Sequence, residues 1–169
     1  LGMDLKINAL VVDDSGIMRK LVMRSLKETR LADFAFTEGK DGADALANFN
    51  DTIDMIISDW NMPNMNGIDF VRKVREIQKR HVLIMMITTE KTMGRVEEAM
   101  DSAGVDAYVC KPFTVELLSQ KLAPMIDKFV AAVKKVFPHV LLQWEDFLKD
   151  NAIFQLERFR DQLLTFNDD

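Results

Sequence analysis

Apolar positions along the chain recur in two alternating patterns. Ile7 to Val12 is an apolar run broken only by Asn8, and it stops at Asp13-Asp14. Ser15 then suits a helix N-cap, and Ile17, Leu21, Val22 and Leu26 recur at helical spacing, so the spacing predicts a helix over 16–28. Residues 33–37 form a second short strand, and Asp41-Gly42 opens a helix over about 43–49. The run Ile53 to Asp59 has strand length, ends in an acid, and is stopped by Pro63 and the Asn64/Asn66/Gly67 cluster. A helix follows from Gly67 to Gln78 with Ile68, Val71 and Val74 inward. Val82–Ile87 is a fourth strand ending at Thr88-Thr89, and 92–103 is a helix closed by Gly104 as its C′ residue. Ala107–Cys110 is a fifth strand ending at Lys111-Pro112, and Thr114 caps a helix that begins at Val115.

Five strand-helix units in strict alternation, with strands apolar on both faces, imply an α/β fold. Right-handed crossovers reduce the topologies to a few, of which a doubly wound five-stranded parallel sheet in order 2-1-3-4-5 with helices on both faces is expected. In that order strands 1 and 3 meet at the switch point. Their carboxyl ends carry Asp13, Asp14 and Asp59.

Length adds room for an appendage, since 169 residues exceed one domain of this kind. The apolar share of 48% supports a core, and a net charge of −5 supplies no basic patch for nucleic acid. The one cysteine, Cys110, excludes an internal disulfide, suits a reducing cytoplasm and reads as a small buried hydrophobe. No signal peptide and no stretch of membrane-spanning length is present, so a cytoplasmic location is expected. Residues 1–4, with Leu1-Gly2 ahead of Met3, read as an expression remnant.

Three carboxylates converging at one sheet edge repel one another unless a cation neutralises them. A hard divalent ion with oxygen ligands fits, and Mg²⁺ is the usual one where phosphate is handled. Thr88 adds a hydroxyl and Lys111 an ammonium from the next two strand ends. An acid nucleophile, a metal, a hydroxyl and a point positive charge suit phosphoryl transfer. Singly, each residue reads as a cap, a loop acid or an exposed lysine. Five of them at four strand ends point to one site.

Four stretches make the chain resemble the CheY-like receiver domains of bacterial response regulators over about residues 5–128. They are Val11-Val12-Asp13-Asp14-Ser15, Asp59-Trp60-Asn61-Met62-Pro63, Thr88 with Glu90, and Tyr108-Val109-Cys110-Lys111-Pro112-Phe113. The resemblance implies that Asp59 accepts a phosphoryl group from a phosphohistidine on a sensor histidine kinase. It implies Mg²⁺ held by Asp14, Asp59 and the main-chain carbonyl of Asn61, with Asp13 acting through water. Lys111 would contact the phosphoryl group and Thr88 would move toward it. Tyr108 would turn inward in response, or else simply cover the sheet edge. Asn61 and Glu90 would tune hydrolysis of the acyl phosphate. Thr89 is bulkier than the alanine or glycine common after the switch threonine. The surface of the fourth helix, fifth strand and fifth helix would carry the signal to a downstream protein, with chemotaxis or motility as the family-level process. The chain is then a phosphoacceptor with self-catalysed transfer and autodephosphorylation, not an enzyme acting on other molecules.

Two other classes stay open. Haloacid-dehalogenase-type phosphatases also use an aspartyl nucleophile, a threonine, a lysine and Mg²⁺. Their nucleophile lies on the first strand in an Asp-x-Asp pattern, which Asp13-Asp14-Ser15 does not match. A constitutive binding module would rely on the tail instead. There the apolar spacing continues through Phe129, Val130, Val133, Val136 and Phe137 to Pro138, with Pro124 inside the run. Beyond it Leu141, Trp144, Leu148, Ala152, Leu156, Phe159, Leu163 and Phe166 form a helical stripe, which Asp150-Asn151 could divide. Seven acids against five Lys or Arg in 131–169 disfavour a DNA-binding output. His139 reads as a surface histidine. The region 129–169 is expected to be an amphipathic helical extension. Its stripe must bury itself in a homodimer, the favoured outcome, or on its own receiver or a partner protein. A membrane surface is disfavoured because the polar face is poor in Lys and Arg.

Overall fold

The structure is a computed structural model that describes residues 5–79 and 81–136. Five parallel strands form one sheet in the order β2-β1-β3-β4-β5. They are β1 (Lys6–Val12), β2 (Asp33–Gly39), β3 (Met55–Ser58), β4 (Leu83–Thr88) and β5 (Ala107–Cys110). The helices are α1 (Gly16–Glu28), α2 (Gly42–Asn48), α3 (Gly67–Ile77), α4 (Met93–Glu97), continued by a π-helical turn over Glu98–Ser102, and α5 (Val115–Val136). The expected fold class and strand order are those observed.

Side chains alternate across each strand, so the sheet has two cores. Ile7, Ala9, Val11, Met55, Ile57, Met85, Ile87, Ala107 and Val109 pack on one face with Val22 and Leu26 of α1 and Leu118 and Leu122 of α5. Leu10, Val12, Ile56, Ile84 and Met86 pack on the other with Ala45 of α2 and Ile68, Phe70, Val71 and Val74 of α3. Each fully buried side chain of this size contributes about 1.5–3 kcal/mol. The central strands β3 and β4 are buried throughout, which is why their sequences read as unbroken apolar runs.

Differences from the expected elements have local causes. β3 begins at Met55 rather than Ile53, because Ile53 donates its N–H to the Asn50 carbonyl in a turn. Its last residue is Ser58, so Asp59 stands one position beyond the ladder. Ile17 and Leu21 are exposed, and α1 buries Val22, Ser25 and Leu26 instead. The fourth helix is α-helical only to Glu97. Ala103 N–H then reaches back five residues to the Glu98 carbonyl, and Gly104 follows at φ +80°. Cys110 is half-buried rather than buried, since it alternates with Val109 to the outer side of β5. α5 runs through both Pro124 and residue 128 without a break. Pro124 and Gln120 are both exposed, so water can satisfy the carbonyl that Pro124 cannot serve. Among the described residues no helix is long and apolar enough to cross a membrane. The expected remnant at 1–4 and the stripe from Phe137 to Phe166, with His139 and the homodimer it would form, lie outside the described residues.

Register sets up the site. Val12 pairs with Ser58 and Thr88 with Cys110, so the residues after each strand end emerge on one edge. The loop after β3 is pinned to its neighbours. Asn64, at φ 63°, donates to Asp41 Oδ2 at 2.8 Å, and Gly42 N–H donates to the Met65 carbonyl at 3.0 Å. Asn66 caps α3 by accepting from Asp69 N–H. Gly67, the first residue of α3, lies so close to β3 that a Cβ there would stand 1.9 Å from the Asp59 carbonyl oxygen. A Cβ at Gly94 in α4 meets nothing within 4 Å. Gly67→Ala is therefore expected to lower stability by about 3 kcal/mol through overpacking, whereas Gly94→Ala raises it by about 0.5–1 kcal/mol through helix propensity. Urea unfolding midpoints of the two variants against the parent check both signs.

Candidate functional site

Asp13 and Asp59 follow paired residues on adjacent strands, and Asp59 N–H donates to the Val12 carbonyl at 2.8 Å. That places the two carboxylates side by side. Asp14 joins them, and the three offer oxygens that all lie within 4.8 Å of one another. Lys111 arrives from the end of β5, where its N–H donates to the Thr88 carbonyl at 2.8 Å and its bond to Pro112 is cis. Its Nζ donates to Asp13 Oδ2 at 2.7 Å and to Asp59 Oδ2 at 3.1 Å. The outer oxygens are also engaged: Ser15 N–H donates to Asp13 Oδ1 at 2.8 Å and Trp60 N–H to Asp59 Oδ1 at 2.7 Å.

This ion pair is sheltered, with side-chain exposures of 12% for Lys111, 5% for Asp13 and 11% for Asp59. Burial alone would lower the Lys111 pKa. The hydrogen bond to Asp13 and the charge of Asp59 outweigh it, and the ammonium is held above its ordinary value. Asp14 is exposed, and among the described residues nothing donates to its carboxylate. Three carboxylates and one ammonium sum to −2. One divalent cation with oxygen ligands matches both that charge and the donor set.

The other expected residues surround this centre. Thr88 is fully buried, and its hydroxyl accepts the Glu90 N–H at 3.4 Å; among the described residues it makes no hydrogen bond to Asp59. Asn61 donates from Nδ2 to Glu90 Oε1 at 2.9 Å, which joins the two residues expected to tune hydrolysis. Tyr108 lies on the same face of the sheet as Thr88, since Met86 and Thr88 pair with Tyr108 and Cys110. Its ring packs against the α3 core, and its hydroxyl donates to the Glu90 carbonyl at 2.9 Å. Glu90 thus binds Thr88 through its N–H and Tyr108 through its carbonyl. Thr89 is exposed. Beside the acidic centre is an open cleft of about 460 Å³, lined by Asp14, Trp60, Asn61, Met62, Pro63, Asn66 and Arg95. The Arg95 guanidinium lies over the Trp60 ring, 4.8 Å from its centroid.

A family model described as the response regulator receiver domain matches residues 9–123. The chain belongs to that family. A model of the malic enzyme N-terminal domain also matches residues 115–160, a span that starts inside the receiver match. The receiver is 41% identical over 120 residues to a chemotaxis protein CheY homolog of Campylobacter jejuni, covering 69% of this chain and 90% of that one. It is 36% identical over 121 residues to the chemotaxis protein CheY of Pseudomonas aeruginosa, covering 70% and 95%. Among solved structures, chemotaxis response regulator CheY4 of Vibrio cholerae matches with a TM-score of 0.59 and 34% identity, covering 70% of this chain and 98% of that one.

Every residue expected in the receiver's site is at the acidic centre or hydrogen-bonded to it, to its bridging lysine or to Glu90; Thr88 joins through Glu90 and the Lys111 main chain. Sequence reasoning missed the Arg95–Trp60 stack. Helical spacing from Thr92 would have aimed Arg95 somewhere, but nothing in the sequence names an aromatic 35 residues earlier as its neighbour.

Tyr108 supplies a clean spectroscopic test, because it is the chain's sole tyrosine. Burial, with the nearby Cys110 and Glu90, pushes its pKa up from 10.0 to about 12. The folded state therefore favours the neutral phenol. The stability this confers is complete below pH 10.0 and is lost as pH rises toward about 12. Tyrosinate absorbance is expected to appear late, near pH 12. The alkaline fall in unfolding midpoint between those values should shrink in Tyr108→Phe.

Proposed function

We propose that the receiver is a response regulator in which Asp59 accepts a phosphoryl group from a phosphohistidine of a sensor histidine kinase, with Mg²⁺. The observation that carries this reading is the Lys111 ammonium shared between Asp13 and Asp59, with Asp14 open beside them. Asp14, Asp59 and the main-chain carbonyl of Asn61 would hold Mg²⁺ directly, and Asp13 through water. When bound, the ion would neutralise the carboxylates and draw charge from the phosphoryl oxygens.

Asp59 attacks phosphorus with its carboxylate oxygen, and the donor leaves with the bonding electron pair. Lys111 shifts its hydrogen bonds from the carboxylates to the incoming phosphoryl oxygens. Thr88 turns its hydroxyl to donate to another of them. The buried Thr88 is tied to the Tyr108 hydroxyl through the backbone of Glu90, so that displacement bears on the Tyr108 ring. α4 is the element free to respond: none of Met93–Glu97 is buried, and Met93 is 74% exposed. The α4–β5–α5 surface then presents a changed face to a downstream protein. The names of its relatives favour a chemotaxis or motility output. Water directed by the Asn61–Glu90 pair later hydrolyses the acyl phosphate, so the chain resets itself.

Incubation with acetyl phosphate and Mg²⁺ should give one phosphoryl adduct by intact-protein mass spectrometry. Asp59→Asn should give none, chelation should abolish it, and Lys111→Met should slow it about a hundredfold. An Asp59→Asn chain that labels at the parental rate would remove the assignment.

A further inference from the structure

The cleft beside the acidic centre carries a cationic side chain outside the set that holds Asp59. Arg95 lines it together with Asp14, Trp60, Asn61 and Asn66. Its guanidinium is preorganised in two ways. It stacks on Trp60 at 4.8 Å, and its NH1 donates to Glu98 Oε2 at 3.2 Å. A guanidinium has five N–H donors in a fixed fork. Among the described residues, that single bond to Glu98 is the only hydrogen bond the Arg95 side chain makes, so the rest of the fork is unspent. Glu98 also receives Arg72 at 3.0 Å, which draws on the charge that would otherwise neutralise Arg95. Trp60 is buried and follows Asp59 directly, and its main-chain N–H donates to Asp59 Oδ1. The stack therefore holds a fixed positive group at the rim of the cleft that opens next to the acceptor.

We infer that this cleft is a subsite for the leaving group of small acyl phosphate donors, with Arg95 as its specificity-determining residue. The inference rests on the proposed role of Asp59. In the transfer, the bond from Asp59 Oδ to phosphorus forms and the bond from phosphorus to the acyl oxygen breaks. The electron pair stays on that oxygen, which departs as a carboxylate, and no proton is needed. Negative charge thus develops on the group leaving through the cleft. A planar guanidinium with free N–H donors stabilises a developing carboxylate more than it stabilises the neutral anhydride oxygen. A phosphoramidate behaves oppositely. Its nitrogen is already protonated, the phosphorus–nitrogen bond breaks, and ammonia leaves neutral. Arg95 gives that departure nothing. The residue is thus expected to bias the receiver toward acyl phosphates over nitrogen-linked donors.

The test is the ratio of labelling rates with acetyl phosphate and with phosphoramidate, at saturating Mg²⁺, for the full chain and for Arg95→Gln and Arg95→Lys. Arg95→Gln is expected to lower that ratio about five- to tenfold, with Arg95→Lys between it and the parent because it keeps the charge and loses the fork. A ratio unchanged in Arg95→Gln overturns the subsite. So does an equal fall with both donors, which would make Arg95 a support for Trp60 and no more. A parent chain that neither donor labels overturns the receiver reading itself, and is told apart from those two results by the parent alone.

Discussion

One ammonium group holds the edge of this sheet together. Asp13 and Asp59 stand next to each other because the strands before them are paired, and Asp14 follows immediately. Two carboxylates at about 5 Å repel by roughly 3 kcal/mol at an effective dielectric near 20. Lys111 offsets this from the far side, at 2.7 Å and 3.1 Å, but its single charge cannot offset three. The site is left short of positive charge. That deficit is the property the proposed function draws on: it suits a divalent cation, and a cation there would make room for a dianionic phosphoryl group.

The fold exists around this deficit in a specific sense. Strand register decides which side chains emerge together, and two apolar cores fix the register from both faces. Close approach does the rest. Gly67 lets the start of α3 rest against the Asp59 backbone, and the Asp41–Asn64 and Gly42–Met65 bonds hold the loop between them. Asp59 is thus held from below and behind. Above it, α4 buries none of its own residues and passes into a π-helical turn. A rigid carboxylate beside a loosely held element is what the proposed switch requires, because a local change in charge then has somewhere to go.

The sheet, its order and the acid-lysine set were legible because they depend on short apolar runs that alternate with helical spacing and on residues that mark strand ends. Val82–Ile87 and Ile7–Val12 could scarcely be read otherwise. What was not legible depended on tertiary placement. Ile17 and Leu21 have helical spacing with Val22 and Leu26, yet only the latter two face the sheet, since the spacing fits two neighbouring faces. Pro124 sits inside a continuous helix because it faces solvent, a fact its position in the sequence does not carry. The bond between Asn61 and Glu90, the Glu90 link from Thr88 to Tyr108, and the Arg95–Trp60 stack each join residues far apart in the chain. Residue types at those positions suggested roles for some of them, but only the fold shows which atoms meet.

The central claim is that the carboxylate cluster is short of the charge a divalent ion supplies, with Lys111 competing for the same oxygens. Calorimetric titration of Mg²⁺ into the parent, Asp14→Asn and Lys111→Met at neutral pH measures this directly. The account predicts one ion bound per parent chain, weaker binding in Asp14→Asn, and tighter binding in Lys111→Met, where the competing ammonium is gone. A parent that binds no Mg²⁺, or a Lys111→Met chain that binds it more weakly than the parent, would contradict it.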